Sequence, residues 1–183
     1  MFVKPRYIIK EQFLWMTGYY DRYGKMCTLV TETKRSFIVN QSPLEILEFS
    51  ISCIGYELKG ARNTAKRLLG NVHHCPILVN PIRRIVLFPT RSALHEDCIW
   101  FNPFHIKRTR SYNYNTIIMF SNGKTVTIPA KLSAFNDKIK RAEQLEEMTR
   151  YSSFLLTLNE QHNELWMKVD RRNVSPIRTH QYG

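Results

Sequence analysis

The sequence predicts an α+β fold of mainly antiparallel strands: an N-terminal meander, two central helices, a C-terminal five-strand set and one longer C-terminal helix. Three stretches predict it. Residues 115–128 read as two strands joined at Asn122-Gly123, a dipeptide suited to a type I′ turn because both residues tolerate positive φ. Ser42-Pro43-Leu44-Glu45 is a capping box with proline at the first helical position, where its missing amide costs nothing. After Ser133, a reasonable N-cap, Phe135, Ile139, Ala142, Leu145 and Met148 recur every three or four residues, so one stripe of a helix is apolar. Its other face carries Lys138, Lys140, Arg141, Glu146 and Glu147.

The meander is read from residues 7–40. Tyr7–Lys10 and Phe13–Tyr20 are rich in β-branched and aromatic residues, residues 21–25 supply a turn, Met26–Thr33 returns, and Lys34-Arg35 leads into Phe37–Asn40. Tyr19, Tyr20 and Tyr23 have the chemistry to stack on bases, although strand aromatics more often build a core or a half-covered face. The capping box opens a helix carrying Leu44, Leu47, Ile51 and Ile54, with Gly55 as its stop. A second helix is expected from about Glu57 to Leu69, ended by Gly70. It gathers Lys59, Arg62 and Lys66 on one side with Arg67 at the edge, opposite Ala61, Ala65, Leu68 and Leu69.

Residues 76–80 and 85–88 form the next hairpin, with Arg83 and Arg84 near its tip. Cys98–Phe101 and Phe104–Lys107 follow as a strand interrupted at Pro103, where a bulge or an edge is expected. Lys107, Arg108 and Arg110 then lie in a basic loop ahead of the 115–128 hairpin, whose turn carries Lys124. Residues 1–151 are read as a single domain and 152–183 as a C-terminal extension whose last part, from Asp170, is a disordered basic tail.

Charge placement narrows the function. The net charge is +12, and between Glu57 and Asp137 twelve Lys and Arg face only two acids, Glu96 and Asp97. So focused an excess points to a polyanion partner. No run of about 18 apolar residues exists and the N-terminus lacks a signal-peptide apolar region, so a cytoplasmic, nucleoid-associated protein is expected, with no membrane span. Cys27, Cys53, Cys75 and Cys98 lie far apart and read as buried neutral thiols.

Catalytic chemistry finds little support. His73-His74-Cys75 and His95-Glu96-Asp97-Cys98 contain zinc-ligand types without the paired spacing that makes a zinc site, and two adjacent carboxylates are too few for a metal-dependent nuclease. No nucleophile elbow, P-loop or dinucleotide fingerprint is present, so no enzyme, no cofactor and no metal are expected.

Residues 76–81, Leu87-Phe-Pro-Thr90, Cys98-x-Trp100 and Phe120-Ser-Asn-Gly-Lys-Thr125, with Phe37–Leu47 and Gly60-Ala-Arg62 upstream, resemble in order and spacing the ComK family of competence transcription factors of Gram-positive bacteria. The resemblance covers roughly residues 7–151. It implies a sequence-specific DNA-binding activator of DNA-uptake and recombination genes, which reads A-tract and T-tract boxes of double-stranded DNA largely through the minor groove. It also implies a homodimer assembling further on DNA, contact with RNA polymerase, and an adaptor that delivers the protein to a Clp protease. Matching basic positions support Arg62 and Lys124, whereas 152–183 depart from the family pattern.

The expected DNA-contacting set is therefore Lys59, Arg62, Lys66, Arg67, Arg83, Arg84, Lys107, Arg108, Arg110 and Lys124. The alternatives are a nucleic-acid-processing enzyme (a metal-dependent nuclease) and a sequence-indifferent RNA-binding protein.

Overall fold

A computed structural model describes residues 3–70 and 72–150. The expected C-terminal extension, 152–183, lies outside the described residues.

Ten strands in two sheets, three α-helices and a short 3-10 helix (Pro103–His105) are described. The first sheet has the order β1-β4-β3-β2-β7-β6-β5. Its strands are β1 (Val3–Lys4), β2 (Phe13–Tyr20), β3 (Met26–Glu32), β4 (Ser36–Val39), β5 (Ile77–Asn80), β6 (Ile85–Pro89) and β7 (Ile99–Phe101). Every pairing is antiparallel except that of β1 with β4. The second sheet, β10-β9-β8, comprises β8 (Ile106–Tyr112), β9 (Asn115–Phe120) and β10 (Thr125–Ile128). The helices are α1 (Pro43–Ser52), α2 (Leu58–Leu69) and α3, which runs over 132–150.

The middle of the first sheet, β6 and β7 with the start of β2, buries both faces, which explains its continuous rather than alternating hydrophobicity. Met16, Ile85, Leu87 and Trp100 pack with Ile46, Leu47 and Ile51 of α1 on one face. Leu14, Val86, Phe88 and Phe101 point the other way, to Ile118 and Phe120 of β9 and to Phe135, Ala142 and Leu145 of α3. Helix α2 serves both: Leu58 and Ala61 pack on the first core, and Ala65, Leu68 and Leu69 on the second. It lies against β5, the last strand of the sheet, and so covers an edge that would otherwise be open.

The capping box forms as read. Ser42 accepts from the Glu45 amide at 3.3 Å, and the Glu45 carboxylate accepts from the Ser42 amide at 2.6 Å. Helix α2 begins without a side-chain cap and ends at Gly70, φ 79°. Gly60 lies within it, with open space where a Cβ would stand. Gly60→Ala is expected to stabilise the fold by about 0.5–1 kcal/mol, read as a higher midpoint of thermal unfolding, because only the unfolded chain uses glycine's extra freedom.

Five expectations are corrected. Residues 7–10 form no strand, because side chains take their backbone hydrogen bonds: Gln41 accepts from the Tyr7 amide at 3.1 Å and Ser50 from the Ile9 amide at 3.0 Å. The 115–128 hairpin does not turn through type I′. Only Gly123 has positive φ, and the Phe120 carbonyl accepts from the Gly123 amide while the Phe120 amide donates to Lys124, so the loop has three residues and an αL glycine. The two-residue loop with both φ positive lies instead at Asn113-Tyr114, between β8 and β9. Six strands follow α2, because a 3-10 helix at Pro103–His105, in place of the expected bulge, divides the interrupted strand into β7 and β8, and residues 107–110 extend β8 rather than forming a loop. Ser133 sits inside the first turn of α3, which starts one residue earlier. The fifth concerns the thiols: Cys27 and Cys98 are buried, but Cys75 is half-buried and Cys53 exposed, and all four are free. None of Tyr19, Tyr20 and Tyr23 joins a core, and Tyr19, 37% exposed, stands on a half-covered face. Among the described residues no helix is long and apolar enough to cross a membrane.

Candidate nucleic-acid interface

Of the ten basic residues singled out from the sequence, nine are exposed and Arg62 is half-buried. They occupy three places. Lys59, Arg62, Lys66 and Arg67 lie on α2, whose packing through Leu58, Ala61, Ala65 and Leu68 leaves the basic side outward. Lys66 and Arg67 stand in its last turn, where the helix dipole favours cations.

The second place is β8. In β9 the side chains of Thr116, Ile118 and Phe120 are buried, so Ile117 and Met119 face away from the core. Arg108 stands opposite Met119, Arg110 opposite Ile117 and Tyr112 opposite Asn115. Across β9, Thr125 and Thr127 complete the same face. The outer face of the small sheet thus carries two arginines and a tyrosine on its edge strand, beside half-exposed Ile117 and Met119. Lys107 falls where the register shifts between Ile106 and Arg108, so it is displaced from that alternation. The inner face is held by Thr109, which donates to Asn136 of α3 at 2.8 Å, and by Thr116, which donates to the Ala130 carbonyl at 2.7 Å.

The third place is one end of the first sheet. Strands β2 and β6 both pair antiparallel with β7, so β6 begins at the end where β2 begins and β3 finishes. The β5–β6 turn holds Arg83 and Arg84 there. Asn80 accepts from the Arg83 amide at 2.9 Å, and Arg84 adopts φ 53°. Arg83 also meets Glu11 at 3.3 Å, a well-exposed pair of about 1 kcal/mol at most. The β9–β10 tip, with Lys124, is tied to the same end: Asn122 donates to the Thr33 carbonyl at 2.8 Å. Beneath it the buried His105 ring lies 2.6 Å from the Glu11 carbonyl and 2.9 Å from the Ser121 hydroxyl. With Nε2 donating to the carbonyl, Nδ1 accepts from the hydroxyl and both ring nitrogens are satisfied.

Three further cations at this end escaped the sequence reading: Lys10, Lys34 and Arg35, all exposed. Lys34-Arg35 looked like a mere lead into β4. The signal was the short turn itself, which places both residues beyond the strand ends, but it is the tie from Asn122 and the His105 bridge from Ser121 to Glu11 that show the distant Lys124 joining them. Among the described residues, nine of the ten expected cations make no ion pair; Arg83 is the exception.

The two His/Cys stretches serve local structure. His95 Nδ1 accepts from the Asp97 amide at 3.3 Å, and the buried Cys98 thiol donates to the Arg91 carbonyl at 3.6 Å. Burial pushes that thiol up from its ordinary value, which disfavours the thiolate needed for ligation or attack. Among the described residues no three His, Cys, Asp or Glu side chains stand together as a metal-ligand set. Lys138, expected on the solvent face of α3, is half-buried, and desolvation followed by Arg141 lowers its pKa.

The family model described as ComK protein matches residues 4–153. The chain is also similar to the competence transcription factor of Bacillus subtilis (strain 168), at 32% identity over 123 residues, which are 67% of this chain and 64% of that protein. The match therefore spans just under two thirds of the relative's length. No solved structure matches the chain.

Proposed function

The chain belongs to the ComK family, and from that membership we propose that it is a DNA-binding transcription factor of competence genes, acting by binding and without catalysis. The observation that carries the proposal is the outer face of β8–β10, where Arg108 and Arg110 are exposed, lack ion-pair partners among the described residues and are held on a hydrogen-bonded strand. Arginines on a sheet edge, with an aromatic residue beside them, suit insertion into a minor groove. A-tract duplexes supply the narrow, strongly negative groove that draws such side chains in. The turn cations Arg83, Arg84 and Lys124, with Lys107 at the bulge, would meet the flanking phosphates, and the α2 row Lys59, Arg62, Lys66 and Arg67 would add backbone contacts.

The finer proposal follows the family pattern: paired A-tract and T-tract boxes, a homodimer assembling further on DNA, contact with RNA polymerase, and turnover through a Clp protease adaptor. The 1–151 domain would carry DNA binding, and 152–183 the contacts peculiar to this protein.

Titration of an A-tract/T-tract duplex at several salt concentrations tests the core of this reading. Each neutralised phosphate adds about 0.9 to the log–log slope, so a steep fall in affinity is expected; near-independence of salt overturns the basic-surface argument. Lys66→Ala should weaken A-tract and G·C-rich duplexes about equally, lowering the slope by about 1. Cleavage of labelled DNA or RNA in magnesium would instead establish an enzyme, and RNA competing as well as the duplex would establish a sequence-indifferent RNA binder.

A further inference from the structure

A pocket of about 230 Å³ opens beside the β1–β4 edge of the first sheet, lined by Lys4, Arg6, Tyr7, Lys10, Glu32 and Arg35 among others. Four cations share it with one carboxylate, and that carboxylate is already occupied. Glu32 accepts from the Tyr7 hydroxyl at 3.0 Å and from Arg35 Nε at 2.9 Å. Burial, and then the charge of Glu32, hold the Tyr7 hydroxyl protonated well above its ordinary range, so it remains a donor to Glu32. Lys4, Arg6 and Lys10 make no ion pair among the described residues.

Aromatic rings lie against three of the four cations. Lys4 Nζ lies 4.0 Å from the centre of Phe37, and the Arg35 guanidinium carbon 5.4 Å from that same ring. The Arg6 guanidinium carbon lies 5.3 Å over Phe49. Cations gathered this closely repel one another, a cost that a bound anion relieves, and side chains already held on rings lose less freedom when it binds. A solvated basic face would normally leave its cations free and convex. Here they border a concavity whose floor is the Tyr7–Glu32 pair.

We infer that this pocket is a binding site for a multiply charged phosphate group, with Lys4, Arg6, Lys10 and Arg35 as its donors. None of the four belongs to the ten cations first assigned to DNA, and the inference stands whether or not the DNA reading does. Two sources offer the same chemistry: a free phosphate-bearing compound and the backbone of a nucleic acid.

Calorimetric titration of the full chain with inorganic pyrophosphate, in about 0.15 M salt, tests the site directly. One saturable site is expected, weakened at least about tenfold in Lys4→Ala/Arg6→Ala because two charge-assisted contacts are lost. Lys25→Ala, in the β2–β3 turn at the opposite end of the sheet, should leave it unchanged. Lys10→Ala, an exposed position, provides a second variant should the double substitution unfold. A duplex arm separates the sources. If pyrophosphate competes with DNA and the pocket variants flatten the salt slope, the occupant is the nucleic-acid backbone; if DNA affinity is untouched, it is a free phosphate compound. Absence of saturable pyrophosphate binding, or equal weakening by the pocket variants and Lys25→Ala, overturns the inference.

Discussion

Replacing Arg108 and Arg110 together by alanine is expected to weaken binding of an A-tract/T-tract duplex by about a hundredfold or more, since each lost arginine contact is worth about 1–3 kcal/mol. Both side chains are exposed, and Thr109 between them holds the strand to α3 through Asn136, so the double variant should keep its fold and circular dichroism. If both arginines meet phosphates only, the log–log salt slope flattens by about 1.8 and A-tract and G·C-rich duplexes suffer alike. Insertion into a narrow groove predicts unequal losses, larger on the A-tract duplex. A loss confined to the A-tract duplex would identify β8 as the reading element. Wild-type affinity on both duplexes would remove β8 from the interface and leave the α2 row and the turn cations Arg83, Arg84 and Lys124 as the remaining basic surfaces. Lys107→Ala makes a useful companion, because the register shift sets Lys107 apart from the face shared by Arg108 and Arg110. Its loss should be modest and indifferent to sequence.

How much of this was legible in the sequence depended on whether the determinant was local. The α1 start was readable because its capping box involves two residues three apart, and the β5–β6 hairpin because its strands are contiguous. The end of α2 at Gly70 belongs with them. Residues 107–110 suggest a loop in sequence because a run of Lys, Arg and Thr carries no apolar alternation. Their strand character comes from pairing with β9, and that strand's apolar residues supply the core contact. Residues 7–10 failed in the opposite sense. Their β-branched and aromatic composition suggests a strand, yet Gln41 and Ser50, more than thirty residues away, take the hydrogen bonds of Tyr7 and Ile9. The candidate site shows the same division. The residue types and their charge excess were visible directly, whereas the gathering of Lys34, Arg35, Arg83, Arg84 and Lys124 at one sheet end rests on strand order, on the tie from Asn122 to Thr33 and on the His105 bridge between Ser121 and Glu11.

The second large effect concerns Phe101, on which the stability of the β8–β10 surface depends. It is fully buried in β7, and its ring meets Phe88 at 5.8 Å, Phe120 at 6.1 Å and Phe135 at 5.5 Å. Those partners belong to β6, β9 and α3, so one side chain joins the first sheet, the small sheet and the C-terminal helix. Phe101→Ala should cost about 3–5 kcal/mol, from lost transfer energy plus the cavity left among three rings that cannot all close on it. Against a typical total of about 5–15 kcal/mol, that is a large share. The expected result is a much lower midpoint in urea unfolding, with any DNA affinity that survives at low temperature lost on warming. Phe104 supplies the contrast. It is 80% exposed three residues along, in contact with the His105 ring, and Phe104→Ala should shift stability by no more than about 0.5 kcal/mol. If the two substitutions cost the same, the second core does not hold the small sheet in place. If Phe101→Ala unfolds the protein while Phe104→Ala is silent, the surface carrying Arg108 and Arg110 depends on the aromatic cluster beneath it.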